Sequence, residues 1–433
     1  MCGALAGAFF YFGASSALSR WYYDFTGVER GKAITTALLI TWVGVLLQSA
    51  IGWFSGDWIA RMLFGDSNYG LHVSLALISS ALTFLNGLLI LVLRFERRAV
   101  LTVCVNLATV IFTVAIIWSL LAQWHMGVMA PILGILIVQA VLAVLLMVAC
   151  RKMMAWGVLT EQVLPMLRFG MTASVLGVVY YVMEWLDRLV LQNMGGLDDV
   201  GVYSVGARVA SILQVVFIMA FGQIWQPMRM QYRHDGNASD LFRLVLTYYF
   251  MAGLLCVVTI TVFSPDIYRL LGGDAGYQSG HALVPWLTMA ALLYGAVNVL
   301  DIGVFVAKKV YWHVIIFTTC AALNLGLNVV IIPHFGCLGA AWAKVVTYTV
   351  LALLMYAISN RYLPIRYEAT RIAALLAIAI GCMVAAAGLE TWVSGPGKLL
   401  YVVAFIGLTS VLVLTAKERA AGLAMSKRIF HAT

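Results

Sequence analysis

The sequence contains ionisable side chains inside long apolar runs, where a charge is expensive to place. Glu184, Asp187 and Arg188 lie in one such run, and Arg208 lies in the next. An ionisable side chain at the centre of a membrane-spanning helix costs roughly 2.5–3.5 kcal/mol on insertion scales, so it persists where it faces a helix bundle or a water-filled cavity. Cations held in such a cavity can bind an anionic ligand, and carboxylates there can exchange protons.

Two more charged side chains, Lys344 and Asp301, occur in later apolar runs. Arg208 and Lys344 have no acidic residue in their own runs, so each could meet a ligand or reach the membrane surface. Glu184 and Arg188 are four residues apart and could instead form an ion pair within one helix that serves packing alone. Asp301 could cap the end of a helix or exchange a proton.

The composition indicates a membrane protein with many spans. Of the 433 residues, 63% are hydrophobic and 10% are charged, whereas a soluble domain is about 45–50% apolar and about 25% charged. The net charge of +9 does not indicate a nucleic-acid partner, because the basic residues fall in short loops between apolar runs. The seven cysteines and seven histidines have no metal-binding spacing, so we predict no metal and no cofactor.

The apolar runs have the length of membrane-spanning helices, which need about 20 residues to cross the hydrocarbon core of a bilayer. Loops between them are short, and we therefore predict an all-α fold without a large soluble domain. The thirteen predicted spans are 2–18, 33–54, 70–93, 99–121, 127–149, 170–191, 201–225, 242–263, 282–306, 312–332, 338–359, 372–389 and 399–416.

The basic residues are distributed unevenly between alternate loops. One set of connections, with the C-terminal tail, holds 21 of the 27 lysines and arginines, while the other set holds three. Because cytoplasmic loops are rich in Lys and Arg, we predict that the first set and the C-terminus are cytoplasmic. Thirteen spans then place Met1 outside, so either the N-terminus is external or a helix precedes this chain.

The sequence repeats itself at a constant offset. Residues 59–66 (IARMLFGD) resemble residues 267–274 (IYRLLGGD), 208 positions later, and in both copies a long span and a short basic loop follow. Six spans separate the copies, which predicts a parallel repeat of two lobes with a substrate site between them. The predicted regions are an N-terminal lobe at 1–150, a linker at 151–168, a C-terminal lobe at 169–360 and two added helices with a basic tail at 361–433.

Several short motifs resemble one family of membrane transporters. They are DRL at 187–189, GVYS at 201–204, NLGLN at 324–328, IPHFG at 332–336, GAA at 339–341 and FGASSALSR at 12–20. Together they resemble the O-antigen flippase-like, polysaccharide-export branch of the multidrug/oligosaccharidyl-lipid/polysaccharide (MOP) exporter superfamily.

This resemblance implies a two-lobed bundle of 12 or 14 helices around a central cavity that opens alternately to the two sides. It implies a transporter of the cytoplasmic membrane, not an enzyme, that flips a polyprenyl-diphosphate-linked oligosaccharide to the outer leaflet with the help of an ion gradient. A polysaccharide polymerase and chain-length machinery are further partners that it implies, beside the membrane lipids. Thirteen spans match a 14-helix fold that lacks its first helix.

We therefore expect a lipid-linked oligosaccharide flippase, because fixed cations would offset the cost of moving a diphosphate through a low-dielectric interior. A cation-coupled multidrug exporter of the same superfamily is the alternative. A polysaccharide polymerase or glycosyltransferase is disfavoured by the short loops and by the absence of a DxD motif. The predicted substrate-binding residues are Arg188, Arg208 and Lys344, and the ion-coupling candidates are Glu184, Asp187 and Asp301.

Overall fold

A computed structural model provides the fold of the chain. It describes residues 7, 10–22, 24–96, 98–232, 238–270, 280–307, 309, 311–388 and 395–414. Throughout these ranges the regular structure is helical and no β-strand occurs, which confirms the predicted all-α fold.

The helices follow one another through short connections. They are α1 (Ala14–Trp21), α2 (Gly27–Phe64), α3 (Gly70–Phe95), α4 (Ala99–Ala122), α5 (Met129–Cys150), α6 (Thr160–Met194), α7 (Leu197–Leu213), α8 (Met219–Tyr232), α9 (Ala238–Leu270), α10 (Val284–Leu300), α11 (Ile302–Val306), α12 (Tyr311–Tyr362), α13 (Ala369–Gly388) and α14 (Leu399–Leu412). Within the described ranges, ten helices are long and apolar enough to cross a membrane, and the 14-residue α14 is shorter. The predicted span 2–18 falls largely outside the described residues.

Helices α7 and α8 form one continuous rod with an irregular turn in its middle. Residues Gln214–Ile218 are a π-helix, in which each turn holds one more residue than usual. The side chains of Val215 and Val216 in this turn are exposed. The π-turn therefore sets the rotational phase of α8 relative to α7.

The 52-residue α12 is a hairpin of two antiparallel arms. The chain reverses at Gly336, whose φ of 53° and ψ of −133° are not helical. Asn324 on the first arm donates to Thr347 on the second at 3.2 Å, and Trp312 donates to the Tyr362 hydroxyl at 2.9 Å. Gly336 lies between the predicted spans 312–332 and 338–359, so the loop expected there is a tight turn at a single glycine.

The chain divides into two compact units, Met1–Val182 and Met183–Thr433, and the division falls inside α6. The core of the first unit includes Leu85, Leu88 and Leu89 of α3. In the second unit, Tyr203 and Leu287 belong to a core cluster beneath the start of α7.

The repeat motif lies at the end of a long helix in each unit. In the first unit α3, α4 and α5 follow α2; in the second, α10, the short α11 and the two arms of α12 follow α9. The first repeat motif ends α2, where Gly65 adopts a left-handed conformation with φ 74°. Only the start of the second motif, up to Leu270, lies within the described residues.

Gly336 is needed for its backbone conformation, and a pair of glycine substitutions in α12 tests this. No atom lies within 4 Å of a Cβ added at Gly336 or at Gly326, which is helical. Gly336→Ala should lower the free energy of unfolding by about 1–3 kcal/mol, because its φ and ψ suit only glycine. Gly326→Ala should leave it unchanged or raise it by up to about 1 kcal/mol. Thermal unfolding of the purified variants measures both, and equal effects would contradict the strain at Gly336.

Candidate functional site

The hairpin of α6 and α7 carries four of the charged residues that the sequence places in apolar runs. It turns at Gly196, whose φ of 92° is favourable for glycine. The hydroxyl of Tyr203 on α7 donates to Asp187 on α6 at 2.7 Å, and Arg188 Nε donates to the Ser204 hydroxyl at 3.3 Å. These contacts fix an antiparallel register in which Arg208, one turn beyond Ser204, is level with Glu184.

Asp187 is the centre of the polar contacts in this unit. Its side chain is completely buried, and each of its oxygens accepts from groups on other helices. Lys344 Nζ lies 3.0 Å from Oδ2, the same oxygen that accepts from Tyr203. Asn328 donates to Oδ1 at 2.9 Å. A buried carboxylate is stable only when it is paired in this way, so Asp187 joins α6, α7 and both arms of α12.

Lys344 is almost as deeply buried, with 5% of its surface exposed. Beside Asp187, its ammonium lies 3.3 Å from Glu184 Oε2 and donates to the Glu184 carbonyl oxygen at 3.3 Å. The Tyr348 hydroxyl also donates to Glu184 Oε2. Three oxygens thus surround one ammonium group, and the charge of Lys344 is balanced inside the unit. We call Glu184, Asp187, Tyr203, Asn328 and Lys344 the lysine cluster.

A chain of amides and hydroxyls extends the lysine cluster into α12. Asn328 donates to Asn324 Oδ1 at 3.0 Å, Asn324 donates to Thr347 Oγ1, and Thr347 donates to a helix carbonyl. Sequence reasoning gave none of these residues a role, and it also missed Tyr203. A signal was present, since Tyr203, Asn324 and Asn328 all lie in the motifs that carry the family resemblance.

Arg188 and Arg208 remain outside the lysine cluster. The Arg188 guanidinium lies 4.2 Å from the centroid of the Trp185 ring, and its Nη1 donates to the Glu184 carbonyl oxygen at 3.1 Å. Its Nη2 has no hydrogen-bond partner in the described part of the chain. Arg208 is exposed, and its guanidinium makes no ion pair with any described residue. Two cations are therefore available on one hairpin.

The ion pair between Glu184 and Arg188, which their spacing allows, does not form in the described structure. Arg188 binds the backbone oxygen of Glu184, while the carboxylate turns to Lys344. The reason is that the buried ammonium needs both carboxylates, whereas Arg188 can stack on Trp185 and stay half-exposed.

Asp301 lies in a different cluster of the second unit. It follows α10, is 7% exposed, and accepts from Arg229 of α8 at 2.8 Å. His313 of α12 lies 3.2 Å from its other oxygen. The structure therefore brings Glu184, Asp187 and Lys344 together and separates Asp301 from them. No group of residues that could hold a metal ion occurs among the described residues.

A double-mutant cycle tests the pairing of Lys344 with Asp187. Lys344→Met should destabilise the purified protein by about 3–5 kcal/mol, because it leaves a buried carboxylate without its counter-ion. Adding Asp187→Asn should restore much of that loss, since the only carboxylate left without Lys344 is then Glu184, whose side chain is 35% exposed. Lys309→Met, at an exposed lysine, is the control and should have little effect. Additive losses in the double variant would show that the two side chains do not interact.

Comparison with known proteins supports the fold. The chain matches lipid II flippase MurJ in its inward closed conformation with a TM-score of 0.72 and 13% identity, over 94% of this chain and 89% of that one. An inward-facing multidrug resistance MATE family transporter of the MOP superfamily matches with a TM-score of 0.63 and 13% identity, over 83% and 87%. A MOP superfamily transporter from Pyrococcus furiosus, noted for the reverse polarity of its binding pocket, matches with a TM-score of 0.59 and 16% identity. The match covers 86% of this chain and 85% of that one.

The sequence itself matches a family model. No curated protein sequence matches the chain, but the model of the polysaccharide biosynthesis protein family matches residues 5–274, which is more than half of the 433 residues. The chain is thus a multi-pass membrane protein that belongs to the polysaccharide biosynthesis protein family and has the fold of the MOP-superfamily transporters.

Proposed function

We propose that the protein flips a lipid-linked oligosaccharide, carried on a polyprenyl diphosphate, from the inner to the outer leaflet of the cytoplasmic membrane. The observation that carries this proposal is that Arg188 and Arg208 on the α6–α7 hairpin make no ion pair with any described residue. The third cation, Lys344, is paired with the carboxylates of Glu184 and Asp187. This leaves the two arginines for an anionic headgroup.

The arginines suit a diphosphate for chemical reasons. A guanidinium presents planar pairs of N–H donors that match the oxygens of a phosphate, and it keeps its charge at every physiological pH. The Arg188 guanidinium lies 4.2 Å from the centroid of the Trp185 ring, a contact that restricts the side chain, so less side-chain entropy is lost when the ligand binds. Lys344 then has a structural part in the site: it holds the hairpin that presents the arginines.

Of the three candidate carboxylates, Glu184 can take part in ion coupling directly, and Asp301 can do so through the histidine beside it. Asp187 is completely buried and accepts from three side chains, so its protonation would break the centre of the unit. The Glu184 side chain is 35% exposed and can reach water. Asp301 belongs to a cluster with its own histidine. Membership in a polysaccharide biosynthesis family supports a role beside a polysaccharide polymerase and chain-length machinery. The excess of Lys and Arg in alternate loops and in the C-terminal tail supports a cytoplasmic C-terminus.

Export of cationic drugs is the second candidate, because multidrug transporters share the fold. A cavity for cationic drugs is expected to present unpaired carboxylates. In the described structure, the carboxylates of the lysine cluster are paired and the available charges are arginines. Loss of drug resistance in a deletion strain with intact surface polysaccharide would favour this second candidate.

Substitution of the two arginines tests the proposed site. Arg188→Gln and Arg208→Gln should each slow flipping at least about tenfold, because a hydrogen bond to a charged group contributes about 1.5–3 kcal/mol. Arg188→Lys keeps the charge but loses the stacked fork of donors, so it should restore activity only in part. The measurement is the transfer of a fluorescent polyprenyl-diphosphate glycan between leaflets of proteoliposomes.

Arg361→Gln serves as the matched control, since Arg361 is an exposed arginine of the same unit. It should flip the glycan at the wild-type rate. Full activity in the Arg188→Gln/Arg208→Gln double variant would show that the arginines do not bind the substrate.

A further inference from the structure

A second polar cluster occurs in the unit Met183–Thr433, formed by Arg229, Asp301 and His313, which we call the histidine cluster. Arg229 Nη1 donates to Asp301 Oδ1 at 2.8 Å, and His313 Nε2 lies 3.2 Å from Asp301 Oδ2. The three residues come from α8, from the junction of α10 with α11, and from the first turn of α12. One carboxylate therefore ties three helices together.

The pair of Arg229 and Asp301 is buried and well packed. Their side chains are 7% and 10% exposed, and the guanidinium lies 4.4 Å from the centroid of the Phe305 ring. Arg229 also donates to the Asn298 carbonyl oxygen, which accepts from Trp225 Nε1 at 2.8 Å. Because an arginine does not lose its charge, protonation of Asp301 would leave a buried cation without its counter-ion. Asp301 is therefore a poor proton acceptor in this arrangement.

His313 is the group in the cluster that can accept a proton. Imidazole is the side chain that ordinarily changes charge between about pH 5 and 8. The His313 side chain is 17% exposed, and its Nδ1 is buried without a hydrogen-bond partner among the described residues. The ring stacks on Phe317 with a centroid distance of 6.5 Å. The ring thus has one nitrogen on the carboxylate and one nitrogen that is unused.

Other ionisable groups near the cluster do not replace His313 as the proton acceptor. Arg229 faces it from α8, and Lys309 precedes α12 as an exposed cation. The Tyr367 phenol lies before α13; burial raises its pKa, and the charge of Asp301 raises it further. A phenol in that setting stays neutral at physiological pH.

We propose that the histidine cluster is a proton-binding site that couples transport to pH, an inference that rests on the proposed flippase function. With neutral His313, Nε2–H donates to Asp301 and the three helices are joined. A proton taken up at Nδ1 creates a buried donor without an acceptor and a second cation near Arg229. The joined arrangement is therefore the one with neutral His313, and it is lost on acidification, when the protonated ring turns to water.

The same two helices that enter the histidine cluster also enter the lysine cluster. The continuous rod of α7 and α8 supplies Tyr203 to one and Arg229 to the other. The first arm of α12 supplies Asn328 and His313 in the same way. Opening of the histidine cluster is thereby transmitted along stiff helices to the side chains that surround Asp187.

The pH dependence of flipping in proteoliposomes tests this site, with the same pH on both sides between about 5.5 and 8. The wild-type rate should change about tenfold across this range. His313→Gln keeps a donor for Asp301 but does not titrate, so its rate should change by less than about twofold. His334→Gln, at an exposed histidine at the other end of the same arm, should behave as the wild type. Wild-type pH dependence in His313→Gln would overturn the proposal.

A second measurement separates this proposal from the flippase function. Hydrogen exchange of the first turns of α12, compared between wild type and His313→Gln at each pH, should show faster exchange in the wild type at acid pH alone. His313→Asn replaces the glutamine variant if that variant does not fold. Equal exchange at every pH would overturn the proton site even if flipping is confirmed. A wild-type protein that flips no glycan but shows the exchange difference would overturn the function and keep the site.

Discussion

The contact between Lys344 and Asp187 is the constraint on which the second unit depends. A completely buried carboxylate and an almost completely buried ammonium lie 3.0 Å apart, and neither can be tolerated in an apolar interior without the other. Their pairing fixes the distance between α6 and the second arm of α12. Tyr203 and Asn328 donate the remaining hydrogen bonds to the Asp187 carboxylate. These bonds attach α7 and the first arm of α12 to the same point. The position of each helix around this point follows from the need to satisfy two charges.

Much of the fold can be predicted from the sequence because membrane insertion is a local property of each apolar run. The helical class, the repeat and the break near Gly336 all follow from length, hydropathy and one glycine. The partners of the charged residues could not be predicted, because Lys344 is bound by a residue 160 positions away. Spacing within one helix allows a pair between Glu184 and Arg188, but that pair does not form, because the buried Lys344 competes for the same carboxylate. Asp301 lies apart for the same reason: its partner Arg229 is 72 positions away.

The two arginines differ from the lysine in a way that residue type alone does not show. All three are cations in apolar runs, yet the ammonium of Lys344 is fully paired with Glu184 and Asp187, whereas Arg188 and Arg208 have N–H donors available. A compact ammonium fits among three oxygens, while the planar guanidinium of Arg188 lies on a ring, donates to one carbonyl and one hydroxyl, and still has donors left. In the proposed function, the shapes of the cations therefore decide which of them holds the unit and which meets an anion.

The π-turn at Gln214–Ile218 gives the rod of α7 and α8 a property that ordinary helices lack. An α-helix advances about 100° per residue, so one additional residue in a turn rotates everything after it by that angle. Tyr203 before the turn and Arg229 after it meet their partners only in this phase. The number of residues between Tyr203 and Arg229 therefore determines whether both side chains can face their partners at once. A change of identity at the exposed Val215 or Val216 leaves this phase as it is, whereas a change of one residue in the length of the segment would turn one cluster away from its partners.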